Sequence, residues 1–158
     1  MYTTEVSRHV KASRATVYRT LLDPDAVAKW RVPDDMRGHV HEFEPREGGR
    51  FRISLTYEAP DGVGKTSDRT DTYHGRFTRL VPDELIAEEI EFETDDAALQ
   101  GTMTLTTTLT EVPGGTEVRI RHEGIPDTIP AADNELGTQM SLANLARAAE
   151  APDPAQPA

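Results

Sequence analysis

The chain has 158 residues, contains no cysteine, and carries 28 acidic against 17 basic side chains, which gives a net charge of -11. This length suits one domain with its own core, and the lack of cysteine excludes disulfides, thiol catalysis and zinc-thiolate sites. The negative charge argues against nucleic-acid and membrane partners, and no apolar run suits a signal peptide or a membrane span, so the sequence predicts an acidic cytoplasmic protein.

The first thirty residues predict one strand followed by two short helices. Polar and apolar residues alternate from Tyr2 to Val10, as in a strand at the edge of a sheet. Ser13 is a suitable N-cap for a first helix. Asp23 followed by Pro24 is a suitable start for a second helix, because proline is favoured at the first helical position.

Most of the remaining chain up to Glu123 shows the alternation of polar and apolar residues that is typical of strands. Turn residues divide it into about six further segments, which we expect to form one antiparallel sheet with the first strand. One face of this sheet is predicted to be polar and solvated. The inward face is predicted to carry large apolar and aromatic side chains, including Phe51, Ile53, Leu55, Tyr73, Phe77, Met103 and Leu105.

The segment from Ala131 to Glu150 is the one long helical pattern. Its apolar residues, Leu142 among them, spread over more than half of the helix circumference. A flat sheet covers only one stripe of a helix, so the pattern favours a strongly curved sheet around this helix, with a hollow between them. We expect residues 1–150 to form one domain and residues 151–158 to be a disordered tail rich in Pro and Ala.

The order of elements resembles the α+β helix-grip fold of the START-like superfamily, also called SRPBCC, which includes birch-pollen-allergen-like proteins and polyketide cyclases. Several segments are similar to the bacterial family named after the activator of the ninety-kilodalton heat-shock protein ATPase. Many relatives in that family carry a Gly-Trp pair early in the last helix, where this chain has Gly137-Thr138. The segments that carry the resemblance are residues 23–30, 40–57, 75–83, 101–118 and 141–146.

Two polar residues stand on the predicted inward face of the sheet. Glu88 interrupts an apolar row, and a buried carboxylate needs a partner, for which His122, Gln139 and Tyr73 are the candidates. Glu88 and His122 could orient a ligand, or they could belong to a satisfied internal network. A register error of one residue would instead place Glu88 outside.

Two other patterns could indicate a metal site and a phosphate site, but an ordinary structural interpretation is favoured for both. His39 and His41 share a strand face and could bind a metal together with His74 or Glu88, but chance spacing is the favoured interpretation. Residues 59–66 fit a relaxed phosphate-loop pattern, but the following segment is typical of a strand, so a solvated hairpin loop is favoured. The sequence therefore predicts neither a metal nor another cofactor.

Three functions are compatible with the sequence. The preferred one is binding of a small hydrophobic molecule, lipid-like or aromatic, in the hollow. The second, implied by the family resemblance, is regulation of a chaperone ATPase, with the chaperone as partner. The third is a cyclase or hydrolase that uses Glu88 and His122. The exposed first strand is also compatible with a homodimer. We expect the ligand to contact Trp30, Phe51, Ile53, Leu55, Tyr73, Phe77, Glu88, Met103, Leu105, His122, Gln139 and Leu142.

Overall fold

The computed structural model describes residues 1–34, 36–58 and 70–151, and this part of the chain forms one curved antiparallel sheet and three helices. The strand order across the sheet is β1-β7-β6-β5-β4-β3-β2. The predicted α+β helix-grip architecture is thus confirmed. The phosphate-loop-like segment and all but the first residue of the predicted tail lie outside the described residues. The elements are β1 (Tyr2–Val10), α1 (Arg14–Leu21), α2 (Pro24–Trp30), β2 (Met36–Phe43), β3 (Arg50–Tyr57), β4 (Thr70–Val81), β5 (Leu85–Phe92), β6 (Met103–Val112), β7 (Gly115–Ile125) and α3 (Ala131–Glu150).

The two short helices begin at the predicted caps. The Ser13 hydroxyl accepts a hydrogen bond from the backbone N–H of Thr16 at 3.2 Å. The Asp23 carboxylate accepts one from the backbone N–H of Asp25 at 2.9 Å, and Pro24 occupies the first turn of α2. These bonds satisfy N–H groups that have no partner within the helix, which is why both helices start at these residues.

Irregular positions bend the sheet around its concave face. The register shifts within β1, β2 and β4, and such bulges increase strand twist and curvature. On β4, a Cβ atom at Gly75 would collide with the carbonyl oxygen of Glu89 and with the ring of Phe51. Glycine at this position lets β5 and the Phe51 ring approach the β4 backbone closely.

The long helix α3 packs through its C-terminal half. Leu142, Leu145, Ala146 and Ala149 are buried, and the helix contacts β1, α1 and α2. The wide apolar arc predicted for the whole helix is wrong in its first half, because the Leu136 side chain is 52% exposed. No side chain in the N-terminal half of α3 is buried, and a space remains between this half and part of the sheet.

The convex face of the sheet is polar, as the alternation predicts. Arg52 donates two hydrogen bonds to Glu93, at 2.8 and 2.9 Å, and Arg76 lies 3.1 Å from Glu89. The hydrogen bonds from Arg52 lower the pKa of Glu93. Exposed pairs of this kind contribute at most about 1 kcal/mol each to stability, so this face contributes little to the free energy of folding. No helix of the described residues is long and apolar enough to cross a bilayer.

Candidate functional site

A cavity of about 770 Å³ lies between the concave face of the sheet, the end of α2 and the N-terminal half of α3. Its wall is mainly apolar, with Met36, Ile90, Phe92 and Ile120 among its side chains. The α3 residues at its mouth include Leu136, Gly137, Thr138 and Ser141. The buried side chains of α3 all lie in its C-terminal half, whereas its N-terminal half borders the cavity and is tied to the sheet through Asn134.

The structure divides the twelve residues predicted to contact a ligand into four groups. Phe51, Ile53, Phe77 and Leu142 are buried in the core and do not belong to the cavity wall. Gln139 lies on the exposed side of α3, so it is not a partner of Glu88 as predicted. Glu88 is buried below the wall, which excludes the register error considered for it. The residues that do line the cavity are Trp30, Leu55, Tyr73, Met103, Leu105 and His122.

The partner of Glu88 is Arg31, a residue that sequence reasoning did not select. The Arg31 guanidinium donates a hydrogen bond to the Glu88 carboxylate, and both side chains are buried. The guanidinium carbon lies 5.1 Å from the ring centroids of both Trp30 and Phe51. The signal that could have identified Arg31 is its position directly after the inward-facing Trp30, since a buried carboxylate requires a nearby cation.

The surroundings of Arg31 keep it charged. Burial alone lowers the pKa of Arg31, but attraction to Glu88 and the interactions with Glu88 and Tyr73 together more than offset that effect and raise it. Burial also raises the pKa of Tyr73, although Arg31 opposes this change. The cavity wall therefore holds a charged guanidinium beside a neutral phenol, and the guanidinium pairs with Glu88 below the wall.

A chain of hydrogen bonds determines which nitrogen of the neutral His122 ring carries the proton. The Thr4 hydroxyl donates to the Asn134 side-chain oxygen at 2.6 Å, so the Asn134 amide nitrogen donates to Nδ1 of His122 at 3.1 Å. Nδ1 accepts this bond, and the proton of the neutral ring therefore resides on Nε2. Burial lowers the pKa of His122 to about 4, which keeps the ring neutral at physiological pH.

Three N–H groups of the wall residues have no acceptor within the described part of the protein. They are Nε1 of Trp30, Nε of Arg31 and Nε2 of His122, and all three are shielded from solvent. Buried Trp and His side chains normally find a partner, and an unpaired buried donor costs about 1–3 kcal/mol. Each of these three N–H groups can therefore still donate a hydrogen bond.

The two histidines considered as metal ligands lie elsewhere. His39 and His41 are on exposed positions of β2, with ring centroids 4.4 Å apart, and His41 Nε2 lies 2.7 Å from the Ser54 hydroxyl. Burial lowers the pKa of His41, and the neighbouring His39 adds to this effect. Of the two suggested third ligands, His74 contacts Glu93 and Glu88 pairs with Arg31. No three His, Asp or Glu side chains among residues 1–34, 36–58 and 70–151 are arranged to hold a metal ion.

The substitution Gly137→Ala tests whether the space around this residue, at the mouth of the cavity, is open. A Cβ atom at this helical position would meet no other atom within 4 Å, so Gly137→Ala should stabilise the protein by up to about 1 kcal/mol. For a domain of this size, that change raises the Tm by roughly 2–4 °C in a thermal unfolding experiment. Gly124→Ala is the matched control and should destabilise, because Gly124 has a φ of 75°. A lower Tm for Gly137→Ala would contradict the open space at this position.

The sequence profile described as Activator of Hsp90 ATPase homolog 1-like protein matches residues 11–150. The chain belongs to this family. The Activator of Hsp90 ATPase homolog 1-like family is part of the START-like superfamily, so the resemblance seen in the sequence is confirmed. No curated protein matches the chain significantly.

Solved structures of several bacterial proteins share the fold of this family member. A protein from Chromobacterium violaceum is 37% identical, with a TM-score of 0.84, and the alignment covers 96% of this chain and 98% of that one. A protein from Rhodobacter sphaeroides is 22% identical, with a TM-score of 0.74 and coverage of 90% and 88%. The AHSA1-like protein from Aeromonas hydrophila is 20% identical, with a TM-score of 0.68 and coverage of 94% and 92%. The last two similarities concern the fold alone.

Proposed function

We propose that this protein binds a small, mainly apolar molecule in the cavity between the curved sheet and α3. The observation that carries the proposal is the cavity itself, whose volume of about 770 Å³ is typical of small-molecule sites. Its wall combines apolar side chains from several strands with a few polar groups, which is the usual composition of such sites.

The arrangement of α3 supports entry of a ligand from solvent. Leu136 lines the cavity and is also half exposed, so an apolar side chain stands at the boundary between cavity and water. A bound molecule that covers Leu136 removes apolar surface from water, which is favourable at about 25 cal/mol per Å². The buried C-terminal half of α3 holds the helix in place while its first half borders the opening.

Leu105→Trp tests whether this cavity holds the ligand. Leu105 lines the cavity on β6, so the larger indole fills part of the space and should abolish binding. Native mass spectrometry of freshly purified protein, followed by organic extraction, should show a bound small molecule in the wild type that is lost in this variant. A saturating ligand at one hundred times its Kd should add about 2.7 kcal/mol of stability to the wild type.

Thr110→Trp is the control, because it adds the same side chain at an exposed position of the same strand. This variant should retain the bound mass. A wild-type protein that carries no small molecule, and whose Tm does not change with any compound of an apolar library, would contradict the proposed function. Retention of the ligand by Leu105→Trp would place the ligand outside this cavity.

A further inference from the structure

The unpaired N–H groups of the cavity indicate the chemistry of the ligand. Trp30 and Arg31 are each less than a tenth exposed, and both line the cavity with an N–H that lacks an acceptor in the described part of the protein. The hydrogen bond from Asn134 makes Nε2 of His122 a third donor of the same kind. These atoms are shielded from solvent, so a ligand oxygen in the cavity meets them only after each side chain rotates toward it. Relief of the unpaired-donor cost favours that rotation.

The sheet register places these donors at two separate points. His122 pairs with Leu105, and Leu105 pairs with Glu88, so the three residues form one row across β7, β6 and β5. Neighbouring strands are about 4.8 Å apart, which puts the backbones of His122 and Glu88 roughly 10 Å apart. Arg31 lies at the Glu88 end of this row and His122 at the other, with the apolar Leu105 between them.

The charges around the cavity disfavour an anionic ligand. Arg31 is the one cationic side chain in the described wall, and Glu88 already neutralises it. The wall also includes the carboxyl groups of Asp96 and Asp133, while His122 is held neutral. A ligand carboxylate or phosphate would therefore meet two carboxylates and no cation that lacks a carboxylate partner in the described wall, which disfavours its binding.

We propose, building on the proposed function, that the ligand is an uncharged apolar molecule with carbonyl-type oxygens at two points. One oxygen accepts hydrogen bonds from Trp30 and Arg31, and the other accepts one from His122. The apolar stretch between the two oxygens lies against Leu105. Ketones, esters and amides belong to this chemical class, whereas fatty acids and phosphorylated molecules do not.

Four probes of similar length test this inference: octane, 2-octanone, octane-2,7-dione and octanedioate. Each net hydrogen bond should strengthen binding about three- to tenfold, so the Kd should fall from octane to 2-octanone to the dione. Octanedioate should bind at least tenfold more weakly than the dione. Trp30 is the only tryptophan of the chain, so a single indole signal in a ¹H–¹⁵N NMR spectrum reports on its N–H. The two ketones should shift this signal downfield, and octane should not.

His122→Phe separates the two points of contact. The variant keeps a ring but removes the Nε2 donor, so it should bind the dione no more tightly than 2-octanone and should bind octane as the wild type does. His74→Phe, on the exposed convex face, is the matched control and should behave like the wild type in all four titrations.

The outcomes distinguish this inference from the proposed function. Equal affinity for octane and the dione, with an unmoved indole signal, would overturn the donor assignment and leave the apolar cavity site intact. Tighter binding of octanedioate than of the dione would overturn the uncharged class alone. If none of the four probes binds and native mass spectrometry shows no small molecule, both the inference and the proposed function are rejected.

Discussion

Arg31→Met should lower the free energy of unfolding by about 3–5 kcal/mol, because it leaves the buried Glu88 carboxylate without its cation. Methionine keeps much of the apolar contact with Trp30 and Phe51, so the loss measures mainly the unpaired charge. Chemical denaturation monitored by circular dichroism gives this value. Glu88→Gln should have a cost of similar size, because it leaves the buried guanidinium without a carboxylate.

The double variant Arg31→Met with Glu88→Leu shows whether the loss in Arg31→Met comes from the unpaired carboxylate. Apolar replacement of both members of a buried pair is often neutral, so this variant should recover most of the stability that Arg31→Met loses. Arg52→Met removes an exposed, solvent-screened pair with Glu93 and should have a much smaller effect than Arg31→Met. A loss below 1 kcal/mol for Arg31→Met itself would show that the Arg31–Glu88 pair is not important for stability.

The ion pair also changes how the enzyme hypothesis can be tested. That hypothesis expects Glu88→Gln to abolish turnover while leaving the fold intact. Because Glu88 holds Arg31 in the core, the same substitution should weaken the fold itself. Loss of activity in Glu88→Gln alone therefore would not identify Glu88 as a catalytic residue.

Acidification from pH 6.5 to pH 4 should remove about 2–3 kcal/mol of stability through His122 alone. The pKa of His122 is about 4 in the folded protein, against an ordinary value of 6.5 in the unfolded chain. Between these values the unfolded chain binds a proton that the folded protein does not, so stability falls as the pH falls. The difference of about 2.5 pH units corresponds to at most roughly 3.4 kcal/mol, which partial exposure of the ring reduces. Above pH 6.5 this contribution is constant.

Comparison with His122→Gln isolates this effect. Glutamine does not titrate, and it can accept the hydrogen bond from Asn134 through its side-chain oxygen. The carboxylates titrate in both proteins, so the difference in unfolding free energy between wild type and variant should change by about 2–3 kcal/mol from pH 7 to pH 4. Parallel stability curves for the two proteins would mean that His122 is protonated as easily in the folded protein as in the unfolded chain.

The sequence predicted the secondary structure well and the site only in part. Caps at Ser13 and Asp23, and strict alternation along β3 and β6, are local signals, and each element appears where these signals place it. Alternation shows which side chains face inward, but it does not show how far α3 stands from the sheet. For this reason Phe51 and Phe77, predicted as ligand contacts, lie in the filled core, whereas Leu105 and His122 line the cavity.

The fold, the family and the inward position of Glu88 and His122 could be read from the sequence, because these depend on periodicity, caps and similarity along the chain. The partner of Glu88 could not, since Arg31 is 57 positions away in the chain and meets Glu88 through the packing of α2 in the tertiary structure. The tertiary structure also decided that the first half of α3 leaves a cavity, because the balance between core packing and open space depends on contacts among several elements at once.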